Sequence, residues 1–133
     1  MDAEYRVRIA QGGCAVIRIG EPLPRALHHM LSDEREPWGF ITAWNPFARK
    51  VSRERNRAAQ RELLAVLRER GARPCVGAGV GKNLGASQKR WRESSLFVVG
   101  LDFAALDELA RRFEQAALVR GTGREAAELR LLV

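Results

Sequence analysis

The chain has 133 residues, 46% of them hydrophobic and 29% charged, which is the make-up of one globular domain spanning 1–133 and excludes a disordered or low-complexity chain. A globule of this length buries roughly two-thirds of its unfolded surface and needs no metal or disulfide staple, and no apolar run approaches the roughly 20 residues that cross a bilayer. The formal charge of +7 has two readings: contact with an anionic partner, or the skew of 20 Arg against 3 Lys that a GC-rich genome produces.

Asp2 and Glu4 do not fit the start of a signal peptide, so a bacterial-type cytoplasmic protein is expected. Residues 5–9 alternate with period two and predict a strand; Gln11-Gly12-Gly13 is a turn, and 14–19 is a second strand that closes a hairpin. Pro24 opens a helix with Leu23, Leu27, Met30 and Leu31 on one face. Residues 38–44 are nearly all apolar and predict a strand buried on both sides, stopped at Asn45-Pro46 because proline cannot donate to a ladder. Ser52 caps a long helix with the stripe Ala59, Leu63, Val66 and Leu67, ended by Gly71. Asn56 faces inward near the start of that helix and must find hydrogen-bond partners. Residues 73–76 read as a short strand, 77–88 as a glycine-rich loop and 93–99 as an apolar strand. Asp102 caps a third helix with the stripe Leu106, Leu109, Ala110 and Phe113, and strands at 116–119 and 128–132 close the chain.

The order ββαβαββαββ predicts an α+β domain, a mixed β-sheet with about three helices packed on it. Two segments, 16–44 and 96–119, share the sequence strand, glycine, helix, strand, and each predicts a right-handed βαβ unit with parallel strands. Cys14 and Cys75 predict two core thiols, with one disulfide as the alternative.

Several chemistries are missing. His28-His29 and two distant cysteines lack zinc-ligand spacing, and no metal or cofactor is expected. No nucleophile elbow occurs. The run Gly77-Ala78-Gly79-Val80-Gly81-Lys82-Asn83 resembles a phosphate loop but has one residue too few between Gly77 and Gly81, and Asn83 where a hydroxyl should hold magnesium.

What remains is a polar and aromatic set. Phe40, Thr42 and Trp44 share one face of their strand, and Trp91, Glu93 and Ser95 share one face of theirs. Trp44 and Trp91 are strand-end aromatics near cations such as Arg49, Arg53 and Arg90, a pattern that suits stacking on a base with phosphate contact, and Lys82 with the amides of the glycine-rich loop offers a further anion contact. The competing reading makes Trp44 a core anchor.

At these residues the chain resembles the bacterial domain-of-unknown-function family 3293. The resemblance lies in Ile41-Thr42-Ala43-Trp44-Asn45-Pro46, Asn56, Trp91-x-Glu93-x-Ser95 and Phe113-x-Gln115-x-Ala117, between about Gly39 and Val119. It implies a small bacterial protein with no assigned activity. In that family an Asn often follows the matching Gln; here Ala116 stands there. The polar set it marks is Thr42, Asn45, Asn56, Glu93, Ser95 and Gln115. This set is either a hydrogen-bond network holding the Asn-Pro turn against the helix start or a site at one end of the sheet. Three functions follow as expectations: a binding module for a small anionic ligand or nucleic acid centred on Asn45, an enzyme with Glu93 as acid or base, or a protein-interaction domain. No membrane partner is expected.

Overall fold

The alternating N-terminal segment folds as the expected hairpin, in which β1 (Glu4–Arg8) pairs antiparallel with β2 (Cys14–Ile17). The computed structural model describes residues 3–9, 12–46, 49–82 and 90–132, with the backbone alone at 75, 76, 78, 80–82, 90 and 91. The segment after Pro24 is a six-residue 3-10 helix, Arg25–Met30, which buries Leu27; tight i→i+3 helices are characteristically this short. Then come β3 (Pro37–Ile41), α1 (Arg53–Glu69), β4 (Arg73–Lys82), β5 (Arg90–Val99), α2 (Phe103–Arg112), β6 (Ala117–Thr122) and β7 (Glu128–Leu131). The helix caps are the expected ones: Ser52 accepts from Arg55 N at 3.2 Å and Asp102 from Ala105 N at 2.8 Å.

The strands form one seven-stranded sheet in the order β2-β1-β4-β5-β3-β6-β7. The α+β class, the three helices and the element order are as expected. Every ladder between these strands is antiparallel, and parallel pairing is confined to the isolated bridge between Ile19 and Ala127. The expected βαβ units therefore take another form. β5 and β6 run in the same direction, but β3 lies between them; β3 and β4 likewise flank β5. The cause is the hairpin of β4 with β5, whose ten paired residues place β5 directly against β4. Two interlocked, split βαβ crossovers of this kind make the ferredoxin-like motif. Here the β1–β2 hairpin extends it at one edge and β7 at the other.

The central strands are buried on both faces, as their apolar run predicts. On one face Ile41, Leu96, Val98 and Leu118 pack against Leu63 and Leu67 of α1 and Leu106 and Leu109 of α2. On the other, Trp38, Phe40, Phe97 and Val119 meet Val7, Ile17 and Leu27. Bridges from Ile19 and Pro22 to Ala127 and Ala126 carry the chain after β2 to the β6–β7 turn.

Two expectations are corrected. The run from Gly77 to Lys82 is strand rather than loop, and β5 begins at Arg90; the rest of the expected loop, 83–88, lies outside the described residues. Gly77 is needed because β1 and Phe40 approach so closely: a Cβ there would stand 2.6 Å from the Arg6 carbonyl oxygen and 2.9 Å from Phe40 Cε2. Glycine inside a strand commonly marks such an approach. Cys14 is an exposed free thiol at the start of the edge strand β2, not a core one, and the Cys75 side chain lies outside the described part. Among the described residues no helix is long and apolar enough to cross a membrane, and no group of three or more His, Cys, Asp or Glu is placed to hold a metal.

Trp38 anchors the second core. It is fully buried, and its Nε1 donates to the Gly123 carbonyl at 3.0 Å. Gly121 on the neighbouring strand lies under the ring, where a Cβ would come within 2.4 Å of Cζ2. Gly121→Ala should lower unfolding free energy by about 1–3 kcal/mol through overpacking. Urea denaturation should show a lower midpoint at unchanged slope; an unshifted midpoint would mean that the ring is free to move aside.

Candidate functional site

The site begins where β3 leaves the sheet. After Ile41 no ladder takes the next backbone N–H groups, and side chains take them instead. Ala43 N donates to Gln60 Oε1 (2.9 Å), Trp44 N to Thr42 Oγ1 (3.0 Å) and Asn45 N to Asn56 Oδ1 (2.7 Å). Thr42 Oγ1 donates in turn to the Ser94 carbonyl at 2.6 Å, and Gln115 Nε2 donates to the Trp44 carbonyl at 3.2 Å. Asn56 and Gln60 stand one turn apart on α1, so a single helix face serves two of the three amides.

Asn45 adopts φ +46°, the left-handed region that asparagine tolerates better than other side-chain-bearing residues. Its Oδ1 accepts from Asn56 Nδ2 at 2.9 Å and from Val51 N at 3.3 Å. The two asparagines thus bond reciprocally, and Asn56 is buried in doing so. The inward Asn56 expected from helical spacing has found its partners.

Beside this exit lies a cleft of about 210 Å³, lined in part by Thr42, Asn45, Glu93, Ser95 and Gln115. Tyr5 and Phe40 also line it, packed edge to face with centroids 5.4 Å apart. The register explains the opening. Tyr5 pairs with Gly79, and Gly79 pairs with Glu93, so the position between tyrosine and glutamate carries no side chain.

Hydrogen bonds decide what the cleft offers. Asn45 Oδ1 is committed to the clasp, so its Nδ2 is left as a donor. Gln115 Nε2 is committed to the carbonyls of Trp44 and Phe113, so its Oε1 is left as an acceptor. The Ser95 hydroxyl donates to the Glu93 carbonyl at 3.2 Å. The Glu93 carboxyl has no hydrogen bond or ion pair among the described residues, and burial raises its pKa above the ordinary carboxylate value. Burial also raises the Tyr5 pKa, with the Glu93 charge adding to the shift.

Not every expected residue joins the cleft. Asn56 stands behind it, holding Asn45. Trp44 would have shared the face of Thr42 had the strand continued; because the ladder ends at Ile41, it lines a separate groove of about 260 Å³ with Arg57, Gln60 and Arg61. Arg49 and Arg53 are exposed and line neither cavity. The side chains of Lys82, Arg90 and Trp91 lie outside the described part. Gln60 and Tyr5 escaped the sequence reading, and Phe40 was placed on the strand face but not counted as a site residue. Phe40 was signalled by sharing a strand face with Thr42, and Gln60 by lying four residues after Asn56. Tyr5 had no local signal, because only the docking of β1 on β4 brings it there.

The fold and this cleft define a small α+β domain with a ferredoxin-like centre and a cleft with polar lining at the β3 exit. Residues 41–118, more than half of the chain, match the model of the family described as Protein of unknown function (DUF3293), and the chain belongs to that family. The match begins at the strand exit and ends in β6. No curated protein and no solved structure matches the chain.

Asn56→Ala removes the acceptor for Asn45 N and a donor to Asn45 Oδ1. It should cost about 1–3 kcal/mol in urea denaturation; a loss of only a few tenths would mean that water replaces the asparagine. Glu93 gives a second test. Its folded pKa lies above the unfolded value, so its contribution to stability is fully present below the unfolded pKa and is lost as pH rises through the folded one. Glu93→Gln mimics the protonated side chain. Its stability relative to the parent should therefore rise as pH climbs above the ordinary glutamate value of about 4.3, whereas a constant difference would show that the carboxyl titrates alike in both states.

Proposed function

We propose that the cleft at the β3 exit binds a small molecule and that the domain is a binding module built around it. The observation that carries this reading is the convergence of Thr42, Asn45, Glu93, Ser95 and Gln115 on one cleft, with the Asn45 and Gln115 amides already oriented by their own hydrogen bonds. Groups held in place before the ligand arrives lose little freedom on binding. At about 210 Å³ the cleft is smaller than the roughly 300–1,000 Å³ of drug-sized sites, so the ligand is small.

Among the described lining residues there is no lysine or arginine, so the cleft does not favour an anion. A nucleic-acid or other anionic partner has a different support. Arg49, Arg53, Arg57 and Arg61, before and along α1, are exposed and form no ion pair among the described residues. Such a partner would bind there with steep salt dependence. An enzymatic role would give Glu93 the acid or base function, with Asn45 and Gln115 orienting substrate; its raised pKa supports this. Binding ranks first because the Thr42 and Ser95 hydroxyls are both spent on main-chain carbonyls, which leaves Glu93 no free serine or threonine hydroxyl among the described residues of the cleft. A purely protein-interacting role draws no support from a cleft of this kind.

A fragment screen followed by amide NMR tests the reading. Fragments that bind should move the signals of Thr42, Asn45, Ser95 and Gln115 together, and Gln115→Ala should weaken them about tenfold. Shifts confined to the arginines of α1, with salt-sensitive oligonucleotide binding, would replace the cleft reading with the anionic one.

A further inference from the structure

A carboxyl removed from water ordinarily has a counter-charge or several donors, because an unpaired buried charge is costly. Glu93 is half-buried and has neither among the described residues. Among the described residues the elements around it supply none. β1 contributes Tyr5, β4 contributes Gly79, the β3 exit contributes Thr42 and Asn45, and the segment leading from α2 into β6 contributes Gln115 to Leu118. Of these only Tyr5 titrates, and its ionisation would add a negative charge. The burial that raises the Glu93 pKa reports the same missing partner.

The other free groups agree with this chemistry. Gln115 Oε1 is an acceptor without a donor among the described residues. The aromatic rings of Tyr5 and Phe40 line the same cleft, and an aromatic ring attracts a cation to its face. We infer that the cleft takes a small organic cation, a group with a protonated nitrogen such as an amidinium or primary ammonium, with the Glu93 carboxylate as its counter-ion and the Tyr5 and Phe40 rings beside it. This rests on the binding reading above and narrows it to one ligand class. The net charge of +7 opposes a cation at long range. Salt screens that field over about 8 Å at physiological strength, whereas contact with Glu93 lies well inside that distance.

Benzamidine and benzamide are near-isosteric planar probes, one cationic and one neutral, and they separate the inference from the reading beneath it. Each is titrated into the intact protein and into Glu93→Gln, followed by amide NMR at about pH 8, well above the ordinary glutamate range. Benzamidine should bind the parent at least about tenfold more tightly than benzamide, with shifts at Ser95 and Gln115. That preference should vanish in Glu93→Gln while benzamide binding persists. Equal or tighter benzamide binding to the parent, or a preference that survives Glu93→Gln, overturns the cation inference and leaves the cleft as a binding site. If neither probe moves the cleft amides, the inference and the binding reading fall together.

Discussion

Three consecutive backbone amides, at Ala43, Trp44 and Asn45, constrain this molecule more than any other feature. They leave the sheet in the middle of the domain, where an unmet N–H costs about 1–3 kcal/mol. Each is met by a different side chain: Gln60, Thr42 and Asn56. Two of those lie on α1, so the solution fixes the helix against the strand end. A third element, the segment after α2, joins through Gln115 on the Trp44 carbonyl. The split βαβ topology makes this meeting unavoidable, because both crossover helices pack on the same face beside β3.

The cleft is a consequence of that exit. A β3 strand continuing in the sheet would have set its own residues beside β5 where Glu93 stands. Instead the chain turns away through the left-handed Asn45 and leaves the end of β5 uncovered on that side. Gly79 removes the remaining obstruction between Tyr5 and Glu93. The same event sends Trp44 toward Arg57 and Arg61, into a groove of its own. One termination thus creates two concave surfaces of opposite chemistry: one has a carboxyl and no described cation, and the other has two arginines.

Network and site, weighed as alternatives on the sequence, are two sides of the same residues. Asn45 gives its Oδ1 to the clasp and retains its Nδ2 for the cleft. Gln115 gives its Nε2 to the Trp44 carbonyl and retains Oε1. Amide side chains suit such a position because each carries a donor and an acceptor on one rigid plane. Glu93 differs from them: no side chain or amide among the described residues uses its carboxyl, so architecture does not account for it.

The sequence by itself determined the elements that depend on local periodicity and capping: the hairpin, the apolar central strands, the helices begun at Ser52 and Asp102, and the inward direction of Asn56. The family resemblance carried by its motifs also marked Thr42, Asn45, Glu93, Ser95 and Gln115 as one polar set. Tertiary structure alone decided the rest. Whether β5 lies between β3 and β4, whether Gly77 to Lys82 is strand or loop, and whether Tyr5 reaches Glu93 all depend on which strands pair. Pairing is a contact between residues far apart in the chain, and neither period nor propensity encodes it. For the same reason Trp44 and Thr42, on one face by count, face different cavities in space: the ladder ends before them at Ile41, and two of the three amides that follow are met by α1, a helix the strand itself does not specify.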